Sequence, residues 1–263
     1  MPDLTELNVR VLQTELVWQD AAANRLQLAK QLLDCTGADV IVLPEMFSSG
    51  FSMQSVDIAE PEGETLNWLK QQAVLTQAAL VGSVATRIKQ GCVNRCYFVT
   101  PDGEVTYYDK KHLFRMAGEH QAYVAGNERV VVRYRGWRLL LQVCYDLRFP
   151  VFSRNRNDYD IALYVANWPA ARAHAWRTLL QARAIENQAY VLGCNRVGTD
   201  GNGISYRGDS LIVDFLGKPL ADVAPASPAI LAAALNLAAL NQYRQQFPAY
   251  LDTDAFALIP AKL

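Results

Sequence analysis

The sequence predicts a single α/β domain. Short apolar segments of strand length alternate with stretches whose apolar residues recur at helical spacing. One of the strand-like segments, 38–43, is nearly continuous in apolar residues and stops at Pro44, as in a strand covered on both faces. No linker, repeat or low-complexity tract divides the 263 residues, so they are expected to form one domain over 1–263.

Taken in order, Val9 and Val11 alternate with polar neighbours and predict the first strand. Asp20 then caps a helix whose apolar stripe reads Ala22, Leu26, Ala29, Leu33. Segment 38–43 is the next strand and places Glu45 just past its buried end. After the turn-rich stretch 61–63, Leu66, Leu69 and Ala73 predict a second helix, and 79–85 returns as a strand. Segments 95–100 and 104–108 flank Pro101-Asp102-Gly103, whose Asp and Gly tolerate positive φ, and predict a hairpin that delivers Lys110. Segments 130–133 and 137–143 flank Arg135-Gly136 as a further pair, and 161–165, 190–194 and 210–213 add three more strands. Between the first two of these, 173–187 reads as a helix. Periodicity leaves 230–237 open between strand and helix, and it is taken as a strand, followed by a short helix ending near Pro248.

The bulk composition excludes several classes. Hydrophobic residues at 51% and charged residues at 19% describe a folded chain. A formal charge of -1, with no cluster of Lys and Arg, argues against nucleic acid as a partner and for a small molecule. Residues 1–6 lack a basic and apolar leader, and no apolar stretch approaches the ~20 residues of a membrane span, so a cytoplasmic protein is expected. Five scattered cysteines, Cys35, Cys92, Cys96, Cys144 and Cys194, suit a reducing compartment as free thiols. Cys92 and Cys96 lack a second ligand pair at zinc spacing, so no metal is expected. The glycines of 198–208 lack the order of a dinucleotide cradle and read as a turn-rich loop.

Chemistry gathers at three strand ends. Cys144 follows the apolar run 137–143 and meets a polar stretch, a context that suits a nucleophile. Taken alone it would read as a small buried hydrophobe. Glu45 ends a second apolar run and Lys110 a third, so a thiol, an acid and an amine are expected to assemble into one site.

Three segments carry a resemblance: Leu43-Pro44-Glu45-Met46-Phe47, Tyr108-Asp109-Lys110-Lys111-His112-Leu113-Phe114, and Val143-Cys144-Tyr145-Asp146-Leu147-Arg148-Phe149-Pro150. In this order they resemble the nitrilase, or carbon-nitrogen hydrolase, superfamily, with similarity from near Asn8 to about Phe247, and among its branches the bacterial omega-amidases. The resemblance implies a single-domain α-β-β-α sandwich, a homodimer, a carboxyl-terminal extension from about residue 247 whose apolar stretch to Ile259 reaches over a neighbour, and no cofactor. The implied substrate is a small 2-oxo acid amide, 2-oxoglutaramate or 2-oxosuccinamate. A nitrilase or N-carbamoyl hydrolase would use the same residues on another group. A non-catalytic ligand-binding or scaffold protein and a papain-like Cys and His enzyme are alternatives of other classes.

An amide needs a strong nucleophile, a stabilised oxyanion and a proton for the leaving ammonia. By resemblance these are supplied by Cys144, by Lys110 with the backbone amide of Tyr145, and by Glu45 acting as base, acid and base again. The Lys110 ammonium is expected to favour the Cys144 thiolate. Lys110 is chosen over Lys111 from the family pattern, which leaves Lys111 solvated and His112 structural. Glu119 matches a second carboxylate in a supporting place. A substrate carboxylate needs a cation, for which Arg148, Arg154, Arg172 and Arg115 are candidates. Trp168 is the candidate wall of the pocket, with Phe114, Phe47 and Tyr123 behind it.

Overall fold

Leu7, Val9 and Val11 point inward along β1 (Glu6–Gln13) while Glu6, Asn8 and Arg10 between them are more exposed, the two-residue period of a strand. The computed structural model describes residues 3–61 and 63–258, so expectations that touch Met1, Pro2, Glu62 or Ile259 lie outside the described residues. In chain order follow α1 (Ala21–Leu32), β2 (Val40–Val42), α2 (Ser55–Ile58), α3 (Glu64–Thr76), β3 (Ala79–Ile88), β4 (Gly91–Val99), β5 (Val105–Asp109) and α4 (Glu119–Ala122). Then come β6 (Val131–Tyr134), β7 (Trp137–Val143), α5 (Pro150–Ser153), β8 (Ile161–Ala166), α6 (Ala173–Asn187), β9 (Tyr190–Asn195), β10 (Val197–Thr199) and β11 (Ser205–Arg207). The last are β12 (Leu211–Val213), β13 (Pro219–Asp222), β14 (Ala229–Asn236) and α7 (Leu237–Gln246).

The strands form two six-stranded sheets, ordered β14-β1-β2-β3-β4-β5 and β13-β12-β9-β8-β7-β6. β1, β2 and β3 run parallel in the first, and β7, β8 and β9 in the second. One apolar core takes Val9, Val40 and Val81 from the first sheet and Leu141, Leu163 and Val165 from the second, so the sheets pack face to face. A second core joins Leu12, Ile41 and Leu80 to Leu28 and Leu32 of α1 and to Leu69 and Ala73 of α3. Helix α6 covers the other sheet with Trp176, Leu180 and Ala184. The layers are therefore helix, sheet, sheet, helix in a single domain, the sandwich expected from the resemblance.

Three local expectations change. Helix α1 buries Asn24, Leu28 and Leu32, and leaves Leu26 63% and Leu33 76% exposed, so the expected stripe faces outward. The cause is Asn24, which donates through Nδ2 to Val17 O (2.7 Å) and Ser48 O (2.8 Å) and accepts from Val17 N (2.8 Å), fixing the rotation of the helix. Segment 198–208 is a hairpin, β10 paired with β11, where a loop was expected. The ambiguous late segment is β14, registered along all of β1 from Glu6 opposite Asn236 to Gln13 opposite Ala229. Leu237 already belongs to α7, because Asn236 Oδ1 accepts from Ala239 N at 2.8 Å and caps the helix there.

Among the described residues no helix is long and apolar enough to cross a membrane. The sandwich brings the carboxyl end of β2, the end of β5 and the carboxyl end of β7 to one place.

Candidate active site

Glu45 lies just past β2 and is fully buried. Its Oε1 accepts from Lys110 Nζ at 2.9 Å and Asn94 Nδ2 at 2.8 Å, and its Oε2 from the backbone amide of Asn167 at 2.7 Å. Asn167 Nδ2 also donates to Glu45 O at 2.5 Å, so the residue is gripped at both ends by the loop after β8. Lys110, equally buried, leaves β5 with its amide donating to Asn94 O at 2.9 Å. The β4–β5 hairpin thus carries both the lysine and the asparagine that touch Glu45. Glu119 opens the single turn of α4 after Gly118, whose φ of 76° suits glycine. Both its carboxylate oxygens stand 2.9 Å from Lys110 Nζ, and Oε2 accepts from Phe114 N at 2.5 Å. A lysine between two carboxylates keeps a net negative charge in a buried cluster, and hydrogen bonds to Asn94, Asn167 and Phe114 offset its desolvation.

Cys144 directly follows β7 with φ of 46°, in the left-handed region that a non-glycine residue adopts at local strain. The tight turn Cys144–Arg148 that follows is built on Asp146. This buried carboxylate accepts from Val143 N (2.9 Å), His112 N (3.0 Å), His112 Nδ1 (2.7 Å) and Tyr108 OH (2.8 Å). Strand β7 therefore presents its thiol on a sharp, anchored corner, as a nucleophile requires. Parallel pairing of Val143 with Val165 sets Asn167 and Trp168 beside it, and Cys144 Sγ lies 4.0 Å from Asn167 O.

Lys110 draws the Cys144 thiol toward the thiolate, and burial acts against it. Burial pushes its pKa well up, the negative charge of Glu45 adds to this, and Lys110 only partly opposes them. Glu45 and Lys110 both act electrostatically on Cys144, so a carboxylate base stands near the proton to be removed. For Lys110, burial alone would lower the pKa, but Glu119 and Glu45 outweigh it and hold the ammonium charged above the usual lysine range. Burial raises the Glu119 pKa, and Lys110 opposes that rise.

In front of Cys144 opens a cavity of about 440 Å³, lined by Phe114, Tyr145, Arg148, Trp168 and Arg172 among others. Trp168 is a wall of it, with its amide donating to Asn195 Oδ1 at 2.8 Å and its ring 5.4 Å from that of Trp176. Phe114 packs edge-on against Tyr145 at 4.9 Å. Other expected lining residues are elsewhere. Phe47 sits in the core against Trp68, and Tyr123 is buried with its hydroxyl on Ser52 O. Arg154 donates to Glu186 O at 2.9 Å, and Arg115 is outside the lining. Lys111 reaches Asn127 at 2.9 Å. His112 is held by Asp146 and stacked on Phe149 at 3.9 Å, while His120 and His174 are exposed.

Sequence reasoning missed Asn94, Asn167, Asp146 and the hairpin residues Asp200, Ile204 and Tyr206, the last three of which line the cavity. Asn94 had a signal, a lone amide in an otherwise strand-like run. Cys92 donates to Ser55 O and Cys96 lies in the inter-sheet core, and no group of three or more potential metal ligands occurs among the described residues. The arrangement can form and resolve a covalent acyl group: thiol, adjoining carboxylate, ammonium, and a cavity for the acyl chain.

The carbon-nitrogen hydrolase family model matches residues 8–245. The chain is 56% identical over 256 residues to omega-amidase YafV of Yersinia enterocolitica, covering 97% of this chain and 100% of that protein. It is 34% identical to 2-oxoglutaramate amidase of Bacillus subtilis, covering 82% of this chain and 85% of that one. A superfamily protein of Xanthomonas campestris, crystallised with an arsenic adduct in its active site, superposes with a TM-score of 0.95 at 46% identity, over 97% of this chain and 100% of that chain.

Proposed function

The chain belongs to the carbon-nitrogen hydrolase family, and from that premise we propose that it is an omega-amidase, releasing ammonia from the terminal amide of 2-oxoglutaramate or 2-oxosuccinamate. The observation that carries the reading is the fully buried Glu45–Lys110–Glu119 cluster beside Cys144, whose thiol lines an open cavity.

In this reading Glu45 takes the Cys144 proton as sulfur attacks the amide carbon. Negative charge developing on the carbonyl oxygen is met by the Lys110 ammonium and the Tyr145 amide. Collapse of the tetrahedral species breaks the carbon-nitrogen bond, with Glu45 returning its proton to the nitrogen, and ammonia leaves. Glu45 then accepts a proton from water as the water oxygen attacks the thioester, and the proton passes to sulfur as the dicarboxylate departs. No step calls for a metal or an organic cofactor. The upward pull of burial on the Cys144 thiol fits this order, in which Glu45 takes the proton.

The reading extends to a cytoplasmic homodimer, supported by five free, buried cysteines and by Val151, Phe247 and Leu251, large apolar residues more than half exposed toward the carboxyl-terminal segment from about 247. Light scattering that returns a monomer at micromolar concentration would remove the dimer.

The test is ammonia release from 2-oxoglutaramate by the wild type and by Cys144→Ala, beside glutamine, a simple nitrile and an N-carbamoyl amino acid. Release from the keto amide, absent in the variant, is expected. Activity confined to another substrate keeps the mechanism and replaces the specificity, and activity surviving Cys144→Ala overturns the mechanism.

A further inference from the structure

We propose that Arg172 is the specificity-determining residue that binds the carboxylate of the substrate, a reading that rests on the omega-amidase assignment of the same site. Two of the cavity-lining residues are cations, Arg148 and Arg172. Both guanidiniums are mounted on aromatic rings, Arg148 over Trp168 at 5.0 Å and Arg172 over Phe114 at 5.4 Å, and neither has an acidic partner among the described residues. Arg177 and Arg183 of α6, by contrast, are paired, with Asp222 at 2.6 Å and Glu186 at 2.8 Å.

Arg172 Nη2 stands 3.0 Å from Met116 Sδ, and a thioether is a weak acceptor. Most of the five guanidinium donors are therefore free for a ligand. The acid that also lines the cavity, Asp200, is consumed within its own hairpin: Oδ1 accepts from Asn202 N (2.9 Å) and Ile204 N (3.0 Å), and Oδ2 from Tyr206 OH (2.9 Å). Helix α6 begins immediately after Arg172 with no acid in its first turn. Among the described residues, no carboxylate pairs with the guanidinium.

Its backbone is fixed. Arg172 N donates to Pro169 O, and Arg172 O accepts from Trp168 Nε1, each at 2.9 Å. The cation is thus tied to the tryptophan that walls the cavity. Arg148 belongs to the same turn as Cys144, whereas Arg172 comes from the loop after β8. A carboxylate several bonds from the reacting amide is matched by a cation from a separate element, and a planar guanidinium offers it two parallel hydrogen bonds.

The experiment compares ammonia release from carboxylate-bearing amides with release from their methyl esters, in the wild type, Arg172→Met and Arg172→Lys. The amides are 2-oxoglutaramate, glutaramate and N-carbamoyl-β-alanine. In Arg172→Met the acid-over-ester ratio of kcat/KM should fall roughly 10- to 100-fold, through KM more than kcat. Arg172→Lys should recover part of it, since charge remains without the planar fork. If Arg172→Met fails to fold, Arg172→Lys alone reads the same ratio. An unchanged ratio in both variants overturns the proposal. A wild type that prefers another carboxylate-bearing amide overturns the omega-amidase reading, and the ratio measured on that substrate still judges Arg172. A wild type that favours esters over acids throughout overturns the proposal as well.

Discussion

Glu119 holds Lys110 with both carboxylate oxygens, each 2.9 Å from Nζ, while Glu45 takes the remaining side of the same ammonium at 2.9 Å. Glu119 has a backbone donor of its own, Phe114 N, so it fixes the lysine relative to the cavity wall and acts as a positioning residue. Glu119→Gln should lower kcat by roughly 100-fold, the cost of a misplaced reacting group, and change KM less. Because the anion that most strongly holds the Lys110 proton is removed, the ammonium pKa falls from its place above the usual lysine range. An unchanged kcat, or a loss carried by KM alone, would show that Glu119 does not act through Lys110.

Lys110→Met removes the donor assigned to the oxyanion and leaves two buried carboxylates facing one another. Turnover should fall by at least 10²- to 10³-fold, and stability by about 3–5 kcal/mol. Glu119 already has a raised pKa, and losing Lys110 raises it further. A carboxyl with a raised folded pKa contributes stability below its unfolded value and loses it as pH rises through the folded one. The variant should therefore approach the wild type in urea melts near pH 4 and diverge from it toward pH 8. Equal destabilisation at both pH values would contradict this account.

The chain legibly marks Glu45, Lys110 and Cys144 because each is a polar or reactive residue at the end of an apolar strand, and strand ends are where such a sandwich exposes its loops. That the three are neighbours depends on β2 and β5 lying in one sheet and β7 in the other, which no local pattern states. Asp146 was passed over because its work is done by folding back onto Val143 and across to His112. The α1 stripe misled because one amide, Asn24, makes three buried hydrogen bonds and overrides the leucines.

His112 discriminates a papain-like dyad from the proposed chemistry. Its ring is committed to Asp146 and to Phe149, so it supports the turn that carries Cys144. His112→Asn should cost about 1–3 kcal/mol of stability through an Asp146 left short of a partner, and keep turnover within roughly tenfold. Loss of activity as complete as in Lys110→Met, in a folded variant, would favour the dyad instead. Steady-state rates and thermal melts on both proteins decide it.

Stability should fall steeply above pH 9. Burial pushes the Cys35 thiol up to about 11, and it raises Cys96, Cys144 and Cys194 well above the ordinary value. In the unfolded chain these thiols ionise near pH 9, while in the folded chain they keep their protons. The native state then binds more protons, so the stability these groups contribute is complete below pH 9 and is lost as pH rises through the folded values. With an unfolded value near 9, each of the four thiols accounts for about 1.4 kcal/mol over the whole window between pH 8 and 10, or roughly 5 kcal/mol in all. Urea denaturation under reducing conditions at the two pH values measures it. Cys194→Ala, which removes one buried thiol without touching the site, should flatten the slope by about a quarter relative to the wild type, and an identical slope would exclude the thiols as its source.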